Sequence, residues 1–124
     1  MNHTLEVYRG HDLVFYSDGN WLHPLFELER FLETAPYTAA ELTVHDKIVG
    51  RAAALLLVRL GVQEIRAGLM SELALDVLDR YAISYRYRSL VPRINCKTEA
   101  LLAEVDDPDA AYVLLEQRAR RSAP

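Results

Sequence analysis

Apolar and polar residues alternate near the start of the chain and then change to a helical spacing. Leu5-Glu6-Val7-Tyr8 and Leu13-Val14-Phe15-Tyr16 are short β-type runs flanking Arg9-Gly10-His11-Asp12, which reads as a hairpin. Ser17-Asp18-Gly19-Asn20 breaks the pattern. Leu22, Leu25, Phe26, Leu28 and Leu32 then recur as the inward stripe of a helix, and Pro24 is accepted in its first turn. Thr34 to Thr38, with Pro36 inside, predicts a loop.

Glu41-Leu42-Thr43-Val44 predicts a brief strand that delivers the chain to Asp46. From Asp46 to Leu60 the chain is apolar almost all round, interrupted mainly by Lys47, Gly50, Arg51 and Arg59. That composition predicts a helix buried at the centre of the fold, stopped by Gly61. Glu64 to Leu69 alternates as a strand. Ser71 is a good N-cap for a helix to about Tyr81, with Leu73, Val77 and Leu78 facing inward. Ile83 to Leu90 predicts a strand with Ile83, Tyr85 and Tyr87 on one face.

Thr98 to Val105 fits a short helix slightly better than a loop. Asp107-Pro108-Asp109 opens a last helix, with acids in its first turn and Arg118, Arg120 and Arg121 at its C-terminal end. Strands and helices joined by short connections predict an α/β domain over residues 1–124, a mixed sheet sandwiched by helices. Residues beyond about 118 are expected to fray.

Composition narrows the function classes. At 51% apolar residues the chain can build a core without a disulfide or metal staple. Fourteen basic against eighteen acidic residues give a net charge of −4, which argues against general nucleic-acid binding but not against a local basic patch. Cys96 is the only cysteine, so no intramolecular disulfide or thiolate-rich zinc site can form within one chain. The longest apolar run, Ala52 to Val58, is far short of the roughly 20 residues of a membrane span. The first residues, Met1-Asn2-His3-Thr4, lack the pattern of a signal peptide, so a cytoplasmic protein without a membrane partner is expected.

The predicted helix start poses an electrostatic problem. A helix N-terminus repels cations by about 0.3–1 kcal/mol each, yet Lys47 and Arg51 both stand there. Either the helix N–H groups, Lys47 and Arg51 hold a phosphate or carboxylate ligand, or the cations pair internally with Glu41, Glu72 or Asp46. Asp46 stands where an N-cap belongs, and as a functional group it would orient a ligand or Lys47. A glycine inside a helix costs up to about 1 kcal/mol, so Gly50 signals close contact with the sheet or with a ligand.

Cys96 lies among Arg93, Asn95 and Lys97, a setting that could activate a thiol; an inert, partly buried cysteine is the plainer reading. His3, His11, His23 and His45 have no metal-ligand spacing. Arg80, Arg86, Arg88 and Arg93 interleave with Tyr81, Tyr85 and Tyr87, but on a strand the two types point to opposite faces, which reads as a charge-protected edge strand.

Several motifs together carry a family resemblance. Asp46-Lys47-x-x-Gly50-Arg51-Ala52-Ala53-Ala54, Gly61-Val62, Ser71-Glu72-x-Ala74-Leu75 and Leu90-Val91-Pro92 resemble the small prokaryotic domain-of-unknown-function family 1893, over residues 4 to 117. That family looks like a divergent, zinc-free relative of the cytidine deaminase superfamily. The resemblance implies a deaminase-like three-layer α/β/α fold with the Asp46 helix at its centre. Active deaminases start their two zinc-binding helices with His-x-Glu and Pro-Cys-x-x-Cys. The matching positions here read His45-Asp46-Lys47 and Ser71-Glu72-Leu73-Ala74, so zinc-dependent deamination is not expected.

Relatives follow the Val-Pro segment with a Gly/Thr-rich loop and Cys-Pro-x-Glu. Here the segment from Pro92 to Glu99 is shorter, with Cys96 and Glu99 as the counterparts. Taken together, these features predict a small anionic or nucleotide-like ligand at the Asp46 helix start, with Asp46, Lys47 and Cys96 as candidate catalytic groups. Lys47, Gly50, Arg51, Glu72 and Glu99 are the candidate binding groups, with no metal and no cofactor. The rival expectations are a non-catalytic structural or regulatory module, homodimeric in its simplest form, and a thiol-dependent enzyme using Cys96.

Overall fold

The computed structural model describes residues 2–94, 97–102 and 104–122. Strands β1 (Leu5–Arg9) and β2 (Asp12–Ser17) form the hairpin, followed by helix α1 (His23–Thr34) and a single 3-10 turn at Ala39–Glu41. Then come β3 (Thr43–Val49), α2 (Arg51–Leu60), β4 (Glu64–Ser71), α3 (Glu72–Arg80) and β5 (Ser84–Val91). The short α4 (Lys97–Leu101) and the long α5 (Pro108–Ser122) complete the chain. The five-stranded sheet has the order β2-β1-β3-β4-β5, antiparallel through β1 and parallel from β3 to β5.

Local signals explain much of this. The Ser71 hydroxyl accepts the Ala74 N–H at 3.2 Å and caps α3, and the Asp107 carboxylate accepts the Ala110 N–H at 3.0 Å beside the start of α5. Gly61 closes α2 in the left-handed conformation (φ 91°), donating its N–H to the last turn.

The stretch Asp46 to Val49 differs from its expected helical state. It continues β3, and α2 begins only at Arg51 with Gly50 as N-cap. Its neighbours decide this: β3 lies between β1 and β4, and Asp46 is registered with Leu5 on one side and Ala67 on the other. A residue whose backbone serves two ladders has no donor or acceptor left for a helix. Asp46 is therefore not a helix cap.

Val7, Phe15, Val44, Ile65 and Tyr85 belong to the core or pack against it, and Phe15 meets Phe31 of α1 with ring centroids 4.9 Å apart. Helix α2, buried from Arg51 through Leu57, touches β3 and also α1, α3, α4 and α5. The helices thus gather around α2 on one side of the sheet. The opposite side presents Tyr16, Glu6, His45, Arg66 and Arg86 in one registered row, and Tyr16, Arg66 and Arg86 are exposed. Helices on both faces were expected; the charged and polar side chains of this row offer little apolar surface to bury against another layer.

The alternation of inward and outward residues slips at one point. Lys47 and Ile48 are both exposed on β3, opposite the half-buried pair Gly68–Leu69 and the exposed pair Arg88–Ser89, before Val49 and Met70 return to the interior. Gly68 permits the slip, because a Cβ there would stand 2.8 Å from the Lys47 carbonyl oxygen.

Candidate functional site

The slip at Lys47 opens a cavity of about 320 Å³ on the helix side of the sheet. Its walls include Thr4, Trp21, Leu22, Asp46, Ile48 and Gly50, and it is completed by Ala52, Ala53, Ile94, Thr98 and Glu99. The chain arrives from three directions: the β2–α1 connection, the end of β3 with the start of α2, and the segment running into α4. Trp21 sits on the rim, 39% exposed, with a left-handed backbone (φ 57°). A bulky residue seldom adopts that conformation unless its surroundings impose it.

Asp46 is the one buried ionisable group of β3. Its carboxylate accepts the Ile48 N–H at 3.3 Å and has no cationic partner among the described residues. Burial pushes the carboxyl up to about 7, with the Ile48 and Lys47 amides pulling against that rise.

Glu99 is buried as well, but it is fully engaged. One carboxylate oxygen accepts the Arg51 N–H at 2.8 Å, and the other accepts the Ile94 N–H at 2.9 Å. The anion demanded by the α2 N-terminus is thus supplied from within the chain, 48 residues away. Gly50 makes room for it, since a Cβ at that position would lie 2.7 Å from the Glu99 Oε2. Ala54 donates back to the Gly50 carbonyl, which leaves the N–H groups of Ala52 and Ala53 without a partner among the described residues.

Arg51 turns away from the cavity. Its guanidinium donates to the carbonyls of Leu102 and Val105, each at 2.7 Å, to that of Leu73, and to the carboxylate of Asp106. Glu41, Glu72 and Asp46 were the expected partners; Asp106 holds the cation instead, and Glu41 pairs with Arg9 at 2.8 Å. Arg51 is therefore not among the residues that line this cavity. Glu72, exposed in the first turn of α3, does not line the cavity either.

Asp46, Lys47, Gly50 and Glu99 are thus brought to one cavity, with Lys47 exposed at its edge. Cys96, with Asn95 beside it, lies outside the described residues. Trp21, Thr4, Ile94 and Thr98 join the site without any signal in their spacing; only the break at residues 17–20 marks the turn that carries Trp21. Among the described residues, no three His, Cys, Asp or Glu side chains stand close enough to hold a metal ion, and no helix is long and apolar enough to cross a membrane.

The model of a domain of unknown function, DUF1893, matches residues 3–118. Among solved structures, the DUF1893 family protein TM1506 from Thermotoga maritima is similar, with a TM-score of 0.82 and 28% sequence identity. The match covers 93% of this chain and 80% of that one. No curated protein matches.

Proposed function

This chain belongs to the DUF1893 family, and we propose that its cavity binds a small nucleotide-like ligand through Asp46. The observation that carries the reading is the buried Asp46 carboxyl, with its proton affinity raised to near neutrality, opening on a cavity of about 320 Å³. That volume lies at the lower end of small-molecule sites, and the walls match their usual make-up of mainly apolar surface with few polar groups. A carboxyl that can donate and accept suits the edge of a heteroaromatic base, where an N–H and an acceptor stand side by side. Trp21 offers a flat surface, and the N–H groups of Ala52 and Ala53, which have no partner among the described residues, suit a ligand oxygen.

The kinship with the cytidine deaminase superfamily is part of the same proposal. It rests on the residue pattern from Asp46-Lys47 to Leu90-Val91-Pro92. A second reading, a non-catalytic structural or regulatory module, is favoured by the internal satisfaction of Glu99 and Arg51.

Titration calorimetry with a panel of nucleosides and nucleotides tests the first reading, with orthophosphate as control. A nucleoside that binds the wild type and loses about tenfold or more in affinity with Asp46→Ala supports it. Absence of binding across the panel favours the structural module, and equal affinity of the two proteins overturns the role given to Asp46.

A further inference from the structure

Another cavity lies on the open face of the sheet, at the slip between β3, β4 and β5. It measures about 440 Å³ and gathers Lys47, Arg66, Arg86 and Arg88 around the bare backbone of Gly68, with His45 and Tyr87 completing the wall. Arg66 and Arg86 are direct register partners on adjacent strands, so their backbones are only about 5 Å apart. Arg88 follows Arg86 two residues along the same strand.

Four cations in one cleft repel one another, and the chain does little to relieve this. The side chains of Lys47, Arg86 and Arg88 have no hydrogen bond or ion pair among the described residues. Among the described residues Arg66 pairs only with Glu64, at 3.5 Å and half exposed. Asp46 touches the cleft, but its carboxyl accepts the Ile48 N–H, and Glu6 accepts the Tyr8 hydroxyl. Protection of an edge strand explains charges on β5, yet Lys47 and Arg66 lie on the inner strands β3 and β4. The cations therefore need another account.

We propose that this cleft is a binding site for a compact oligophosphate anion, such as a di- or triphosphate group. Guanidinium forks bind phosphate oxygens bidentately, and Gly68 adds no side chain to the floor of the cleft between them. The anion is compact because the cations are: they occupy three adjacent strands over two successive outward positions. A long polyanion would run onto the remainder of a chain whose net charge is −4, which repels it. The cleft opens on the other face of the sheet from the Asp46 cavity and shares only Asp46 and Lys47 with its lining, so the proposal stands whether or not a nucleotide-like ligand binds there.

Inorganic tripolyphosphate, titrated into the full chain at low ionic strength, is the direct probe. The wild type should bind it more tightly than orthophosphate, and R66Q/R86Q should weaken binding about tenfold or more. Both residues are exposed, so the double variant keeps its fold, and circular dichroism checks this. R9Q/R120Q, which removes two cations elsewhere, should bind as the wild type does. No binding of tripolyphosphate, or an equal loss in R9Q/R120Q, overturns the site. Tighter binding of a single-stranded oligonucleotide than of tripolyphosphate overturns the compact anion in favour of nucleic acid.

Discussion

Glu99 reaches across 48 residues to accept the backbone N–H of Arg51 at 2.8 Å, and so closes the N-terminus of the central helix. The same carboxylate holds the Ile94 N–H with its other oxygen. Glu99→Ala therefore leaves two amides without partners at a buried position, at a cost of roughly 2–4 kcal/mol. Glu99→Gln keeps one acceptor oxygen and should lose about half of that. Urea denaturation of the two variants beside the wild type measures both effects; equal stability of all three would show that the cap contributes nothing.

Gly50→Ala tests the same contact from the other side. Its extended backbone (φ −97°, ψ −173°) accepts any residue, so the cost is steric. The new methyl group would stand 2.7 Å from the Glu99 Oε2 and 3.2 Å from the Ile94 Cδ1. A loss of about 1–3 kcal/mol is expected. In the Glu99→Ala background the same substitution should cost much less, and a double-mutant cycle reads that coupling.

Asp46 makes stability depend on pH. Its carboxyl titrates at 3.8 in its ordinary state and at about 7 in the folded chain. The folded state thus binds the proton more tightly, so this contribution is complete below pH 3.8 and is lost as pH rises to about 7. At about 1.36 kcal/mol per unit the loss amounts to about 4 kcal/mol. Asp46→Asn, which cannot ionise, should match the wild type near pH 4 and be more stable at pH 8. Thermal melts across that range give the answer, and parallel wild-type and variant curves would contradict it.

Arg51 ties α2 to the segment between α4 and α5. Arg51→Lys keeps the charge but loses the fork that reaches the Leu102 and Val105 carbonyls and Asp106 together. A destabilisation of about 2–3 kcal/mol is expected. Amide exchange should quicken around Leu102 and Val105, whose contacts depend on this side chain. Unchanged protection there would mean that the segment is held by packing alone.

Local chemistry made part of this fold legible. The hairpin, α1, the Ser71 cap of α3 and the Pro108 start of α5 each depend on a few neighbouring residues, and each follows from spacing or side-chain type. Asp46 to Val49 did not, because its apolar character suits a helix core and a buried strand equally. Pairing with both β1 and β4 decided the matter, and no local window contains those partners. Asp46, Lys47, Gly50 and Glu99, singled out from the residue pattern, do line one cavity. The role of Glu99 as an internal cap, and the withdrawal of Arg51 toward Asp106, were not.

What the sequence determined by itself is the set of local elements, the family pattern and the need for an anion near the start of the central helix. Only the tertiary structure decided where that helix begins and which anion answers it. It also decided which cations gather on the open face of the sheet. The reason is physical: capping, turn formation and periodicity act over a few residues, whereas burial of Asp46, capping by Glu99 and crowding of Lys47, Arg66, Arg86 and Arg88 arise between segments far apart in the chain.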